Sequence, residues 1–211
     1  MRLYLSSFRI GDGDTHLVSM LDGGRSVAVI ANSMDPYERR GLDDEFLALE
    51  ALGLKPRELD LRDYFEDNAQ LADDLRSFNL VWVRGGNVFA LRHAMAKSGA
   101  DRILVALLND DAFVYGGYSA GPCVLAPSLR GLELVDDMTS IERLYGEPPI
   151  FDGLGIIDFA FVPHVDSPGH PETELMKLVI ARYLHDGTRH RTFRDGQVLV
   201  IDGDNEIVVG T

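Results

Sequence analysis

Three short runs in this chain are apolar at every step: 27-VAVIA-31, 80-LVWV-83 and the 113-FVY-115 that leads into a pair of glycines. A strand with one face in water alternates apolar and polar residues. A strand apolar throughout must be covered on both faces, which is the habit of parallel sheets. Segments of helical period separate these runs, so the chain reads as a repeating strand–helix rhythm. That rhythm predicts an α/β fold: a mostly parallel sheet with helices on both faces, a three-layer sandwich.

The individual elements follow from local chemistry. Leu3 to Ser6 and 26-SVAVIAN-32 read as strands rich in residues suited to a buried sheet. Asp43 or Asp44 can cap a helix carrying Phe46, Leu47, Leu49 and Leu52, which Gly53 ends. The alternating 58-ELDLR-62 predicts a strand, and 69-AQLADDLRSF-78 a helix. After 80-LVWV-83 comes 84-RGGN-87, where Asn87 can cap a helix over 88-VFALRHAMAKSG-99, followed by a second helix over 101-DRILVALLND-110. Beyond Leu134 the chain is richer in turns, with a strand at 159-FAFV-162 and an amphipathic helix at 172-ETELMKLVIARYL-184. The segments 197-QVLVID-202 and 206-EIVVG-210, separated by Gly203-Asp204, predict a closing hairpin. No repeat or linker interrupts the pattern, so residues 1–211 are expected to form one domain.

Bulk properties narrow the function. A formal charge of -14 disfavours a nucleic-acid partner, which needs clustered Lys and Arg. No apolar run reaches the length of a membrane span, and the first residues are too polar for a secretory leader. The single cysteine, Cys123, forms no internal disulfide and suits a cytoplasmic setting as a buried small residue. No cofactor is expected. No metal site is expected either: Asp166, His164 and His170 lie close in sequence without the helical spacing or cysteine partners of a metal centre. A small substrate, with a monomer or homodimer as the working unit, is the expectation that remains.

The stretch 117-GYSAG-121 fits G-x-S-x-G between a strand and a helix. A serine on so sharp a turn sits in strained backbone, and small neighbours keep other side chains out of the way. The next helix turns its free N–H groups toward any oxyanion forming there, and Pro122 is tolerated in a first helical turn. Serine needs a base. Of six histidines, His164 is the candidate, because 161-FVPHVDS-167 carries it to the end of a buried strand. A carboxylate should orient the imidazole; Asp166, Asp186, Asp195 and Asp202 are all possible on sequence. The loop 85-GGN-87 can supply a second backbone donor.

The order RGGN, GYSAG, PH and a late carboxylate resembles the peptidase E family, serine dipeptidases related to α-aspartyl dipeptidase and cyanophycinase. Their fold is similar to the class I glutamine amidotransferase domain. The resemblance runs from about Ser26 to Thr211 and implies Ser119 as nucleophile, His164 as base, Asp195 in RDGQ as the acid, and Gly86 with Ala120 as the oxyanion hole. Arg84, Asn87 and Tyr118 become candidate substrate contacts. Three departures stand out: arginine opens the RGGN loop; Pro122-Cys123 follows the elbow; and Glu172 and Glu174 stand where aspartyl dipeptidases carry arginines, so they would repel an acidic substrate. An amidotransferase would need a cysteine at position 119. An α/β-hydrolase esterase would place its acid before a histidine near the C-terminus. The implied activity is hydrolysis of short peptides through an acyl-enzyme. The alternatives are an amidase or esterase on the same fold, or a binding module that has lost its chemistry.

Overall fold

In the computed structural model, which describes residues 1–38 and 41–211, the chain runs β1 (Arg2–Ser6), α1 (Asp14–Met20), β2 (Ser26–Ile30), α2 (Leu42–Ala51), β3 (Lys55–Glu58), α3 (Leu71–Arg76), β4 (Leu80–Val83), α4 (Val88–Ser98), α5 (Ala100–Asn109) and β5 (Val114–Tyr118). It continues through α6 (Ala120–Cys123), α7 (Thr139–Tyr145), β6 (Ala160–Val162), α8 (Thr173–Asp186), β7 (His190–Thr192), β8 (Val198–Asp202) and β9 (Asn205–Val209). Seven strands form one sheet in the order β3-β2-β4-β5-β1-β8-β9. Strands β3, β2, β4, β5 and β1 are mutually parallel, and the β8–β9 hairpin joins antiparallel to β1. The α/β class, the parallel sheet and the hairpin are as the sequence pattern predicts.

Strand composition explains the two covered faces. Successive residues of β1, β2 and β4 point to opposite sides of the sheet. Leu3, Leu5, Ala28, Ile30, Val81 and Val83 join a core with α4, α5 and α6. Tyr4, Val27, Val29, Leu80 and Trp82 join a second core with α1 and α2. A polar residue at any of these steps would therefore face a helix rather than water.

Two expectations are corrected. The strand predicted at 58-ELDLR-62 lies earlier, at Lys55–Glu58, and Leu61–Tyr64 is a 3₁₀ turn. Leu59 and Leu61 are both buried, as alternation required, but Asp60 accepts from the Arg62 N–H at 3.0 Å and bends the chain into the turn. Helix α2 starts on Gly41 in left-handed conformation rather than on an aspartate cap. The strand predicted at 159-FAFV-162 is present as β6, which pairs in parallel with β7 in a separate two-stranded sheet. The Asn87 cap of α4 is likewise as predicted, its side chain accepting from Ala90 N at 3.0 Å. No helix among the described residues is long and apolar enough to cross a membrane.

The tightest crossing in the sheet lies where β5 ends. A Cβ at Gly117 would sit 2.3 Å from the Val83 carbonyl oxygen, and one at Gly121 would sit 2.6 Å from the same atom. Gly117→Ala is therefore expected to cost about 3 kcal/mol. Gly146→Ala, with positive φ but nothing within 4 Å of its Cβ, should cost about 1 kcal/mol. Urea denaturation of the two variants checks the difference; equal losses would show that Val83 yields easily.

Candidate active site

Ser119 stands between β5 and α6 at φ 52° and ψ -110°, outside the regions open to most L-residues. The backbone on either side is pinned. Ser119 N donates to Ser6 O at 3.3 Å, and Cys123 N donates to Ser119 O at 3.1 Å. The neighbouring loop comes equally close, since a Cβ on Gly85 would lie 3.0 Å from the Ser119 Cβ. This arrangement lifts a half-buried hydroxyl at the carboxyl edge of the parallel strands, where open α/β sheets place their ligands.

His164 follows β6 and is itself at φ 60°. Its N–H donates to Ser7 Oγ at 2.8 Å, and its carbonyl accepts from Thr173 Oγ1 at 2.6 Å, so both sides of the peptide are held. The ring Nδ1 lies 2.7 Å from Asp195 Oδ1. A carboxylate only accepts, so Nδ1 carries the proton and Nε2 is left with its lone pair. Burial pushes the imidazole down to about 4; the Asp195 hydrogen bond opposes this, and the neighbouring His170 adds to it. Desolvation wins, and His164 is neutral at pH 7.

Asp195 is fixed from three directions. Ser7 Oγ donates to Oδ1 at 3.0 Å, its own N–H donates to Ser167 Oγ at 2.8 Å, and His164 takes the remaining contact. The other carboxylates considered on sequence lie elsewhere. Asp166 is exposed, Asp186 bonds His185 and Arg182, and Asp202 is registered with Arg2 at the far end of β1. Among the described residues no hydrogen bond joins Ser119 to His164. Phe8 links their surroundings, packing edge-on against both Tyr118 and His164 at 6.1 and 5.9 Å.

Gly86 and Ala120 line one small pocket with Ser119 and Pro163. Gly86 has φ 143°, and a Cβ there would meet Ser33 O at 2.8 Å, so glycine is required for the loop to pack this closely on Ser33. The three candidate substrate contacts have internal partners instead. Asn87 Nδ2 donates to Asp137 O at 3.0 Å in addition to capping α4. Tyr118 OH donates to Glu45 Oε2 at 3.0 Å, and Arg84 lies 3.6 Å from the same carboxylate. Cys123 is buried, with its thiol donating to Phe161 O at 3.3 Å.

Sequence reasoning missed Ser7, Ser167, Phe8 and Asp136. Ser6-Ser7 is a polar pair directly after a buried strand, and that placement was the available signal. Asp136 accepts from Val88 N at 2.8 Å, and burial pushes its carboxyl up to about 7. Glu172 lies 3.9 Å from His164 Nε2 and is also pushed up by burial, with His170 opposing the shift and Asp195 adding to it. His170 stacks on His164 with centroids 3.6 Å apart and planes 5° from parallel. Ligand atoms of His164, His170 and Glu172 lie within 4.8 Å of one another, a group that includes Glu172 rather than Asp166. It suits a metal poorly, because parallel rings aim their in-plane lone pairs side by side rather than at one point.

Peptidase family S51 matches residues 28–209. A peptidase E of Streptomyces coelicolor is 31% identical over 156 residues, 72% of this chain and 60% of its own length. A peptidase E of Shewanella baltica is 30% identical over 189 residues, 84% of this chain and 73% of that protein. An uncharacterized peptidase of Listeria monocytogenes is 28% identical, and the match spans 62% of its length. In fold, the chain resembles a Listeria monocytogenes protein assigned to peptidase E, at TM-score 0.81 and 22% identity, over 100% of this chain and 98% of that one. It also resembles a peptidase from an acI-B1 Actinobacterium at TM-score 0.68 and 18% identity, over 100% of this chain and 87% of the other.

Ser7 offers a test of this geometry. Ser7→Ala removes a buried donor to Asp195 and the acceptor for His164 N. A loss of about 1–3 kcal/mol in stability is expected, read by denaturant melts; an unchanged midpoint would mean that water replaces the hydroxyl.

Proposed function

The chain belongs to peptidase family S51, and we propose that it is a serine-type peptidase acting on short peptides, dipeptides foremost, with Ser119, His164 and Asp195 as its catalytic residues. The observation that carries this reading is the 2.7 Å bond from His164 Nδ1 to Asp195, which leaves Nε2 free to take a proton. Ser119 Oγ attacks the peptide carbonyl as Nε2 removes its proton. The N–H groups of Gly86 and Ala120 receive the oxyanion. His164 then returns the proton to the leaving amine, and water, activated by the same imidazole, releases the acyl group from Ser119. Asp195 holds the productive tautomer and supports the imidazolium while it lasts. The proposed unit is a monomer or homodimer, with no nucleic acid or membrane partner.

A second reading, a binding module that keeps the fold without the chemistry, takes support from the lack of a hydrogen bond between Ser119 and His164. Fluorophosphonate labelling separates the two. Labelling that disappears in Ser119→Ala is expected; no labelling of folded wild-type protein would favour the binding module. Asp195→Asn should lower kcat by about 10⁴-fold, and near-normal turnover would remove Asp195 from the role. The pH profile adds an independent check. Because burial lowers the His164 pKa, the base stays unprotonated well below 6.5, and kcat/KM should lose its acid limb through this group only near pH 4. A midpoint near 6.5 that vanishes with His164 substitution would contradict the buried, neutral base.

A further inference from the structure

The Gly86 N–H belongs to a peptide with little steric preference of its own. Gly85 and Gly86 flank that peptide, and neither has a Cβ to resist its rotation. A trans peptide points its C=O and N–H in opposite directions. Turned one way, the 85–86 peptide offers the Gly86 N–H to the pocket that Gly86 shares with Ser119. Turned the other way, it places the Gly85 carbonyl there, where an oxygen would repel an oxyanion.

The side chain that decides between the two is Ser33, fully buried in the 3₁₀ turn after β2. Its Oγ lies 2.9 Å from both the Arg84 and the Gly85 carbonyl oxygens and donates one proton shared between them. Arg84 Nη1 donates to the same Gly85 oxygen at 3.3 Å. The loop is also tied at both ends: Arg84 N donates to Ile30 O at 3.0 Å, and Asn87 N donates to Ser33 O at 2.9 Å. With its carbonyl partner drawn toward Ser33, the Gly86 N–H faces the opposite way, and among the described residues it has no acceptor. Backbone donors in folded chains are rarely left unpaired, and one left so beside a nucleophile is what an oxyanion hole requires.

We infer that Ser33 is the positioning residue of the oxyanion hole, its hydroxyl holding the 85–86 peptide with the N–H toward Ser119. Arg84, which opens the RGGN loop, steadies the same carbonyl. This assignment rests on Ser119 as nucleophile and Gly86 as an oxyanion donor.

An alkyl fluorophosphonate reads the hole directly, because its phosphoryl oxygen gains charge as Ser119 displaces fluoride. Wild type, Ser33→Cys and Ser33→Ala form a series of full, weak and absent side-chain donor. Ser33→Ala is expected to lower the maximal labelling rate by about a hundredfold, with the half-saturating probe concentration unchanged within about twofold. Ser33→Cys should fall between. The pH midpoint of labelling should stay in place, since neither variant touches His164 or Asp195. Gly146→Ala, which lies outside the pocket, serves as the stability control and should label at the wild-type rate. A crystal structure of Ser33→Ala should show the 85–86 peptide turned, with the Gly85 oxygen toward Ser119. Wild-type labelling by folded Ser33→Ala overturns the proposal, as does slow labelling with the peptide unturned or the pH midpoint displaced. If Ser33→Ala does not fold, wild-type labelling by Ser33→Cys overturns it instead. Labelling that requires Ser119 but ignores Ser33 sinks only the positioning role, whereas no labelling of folded wild type sinks the serine-peptidase reading with it.

Discussion

Everything at the carboxyl edge of the sheet depends on how closely β5 crosses the Val83 carbonyl of β4. That oxygen occupies the space where a Cβ at position 117 or 121 would lie. With glycine at both positions the chain can turn within one residue, and the residue left at the apex is Ser119, in backbone that L-amino acids avoid. Strain of this kind persists only where the surroundings over-determine it. Here they do, through the bonds from Ser6 and Cys123 and the approach of Gly85. Any loosening of β4 against β5 would relax the elbow first.

The electrostatics follow from burial rather than from charge count. His164 has a carboxylate partner and would ordinarily be held in its charged form. Desolvation outweighs that partner, so the ring remains a neutral acceptor at Nε2. The same low-polarity surroundings hold Asp136 partly protonated near neutral pH. A net charge of -14 therefore says little about the site, where the state of each group is set by how far water is excluded.

His164 and Asp195 come from outside the parallel part of the main sheet. The small β6–β7 sheet delivers His164, and the loop before β8 delivers Asp195. A single hydroxyl, Ser7 at the end of β1, ties both back to the main sheet by accepting from one backbone and donating to the other side chain. Phe8 covers the junction from the same segment. The first strand of the chain thus braces residues more than 150 positions away.

What was legible in the amino acids was chemistry that acts over a few residues. Continuous apolar runs foretold two covered faces, Asn87 foretold its cap, and the glycines around Ser119 foretold a turn tight enough to exclude side chains. Local signals failed where two of them competed. In 58-ELDLR-62 the alternation of leucines was real, but the Asp60 side chain bent the backbone, and Leu61 was buried from a turn instead of a strand. The partner of His164 was beyond such reasoning. Four aspartates looked alike until contacts spanning 31 and 188 residues singled out Asp195. Secondary structure and the elbow answer to neighbours along the chain, whereas the alignment of an imidazole with one carboxylate, and the meeting of Asp136 and Glu172 in one pocket, depend on packing between distant segments.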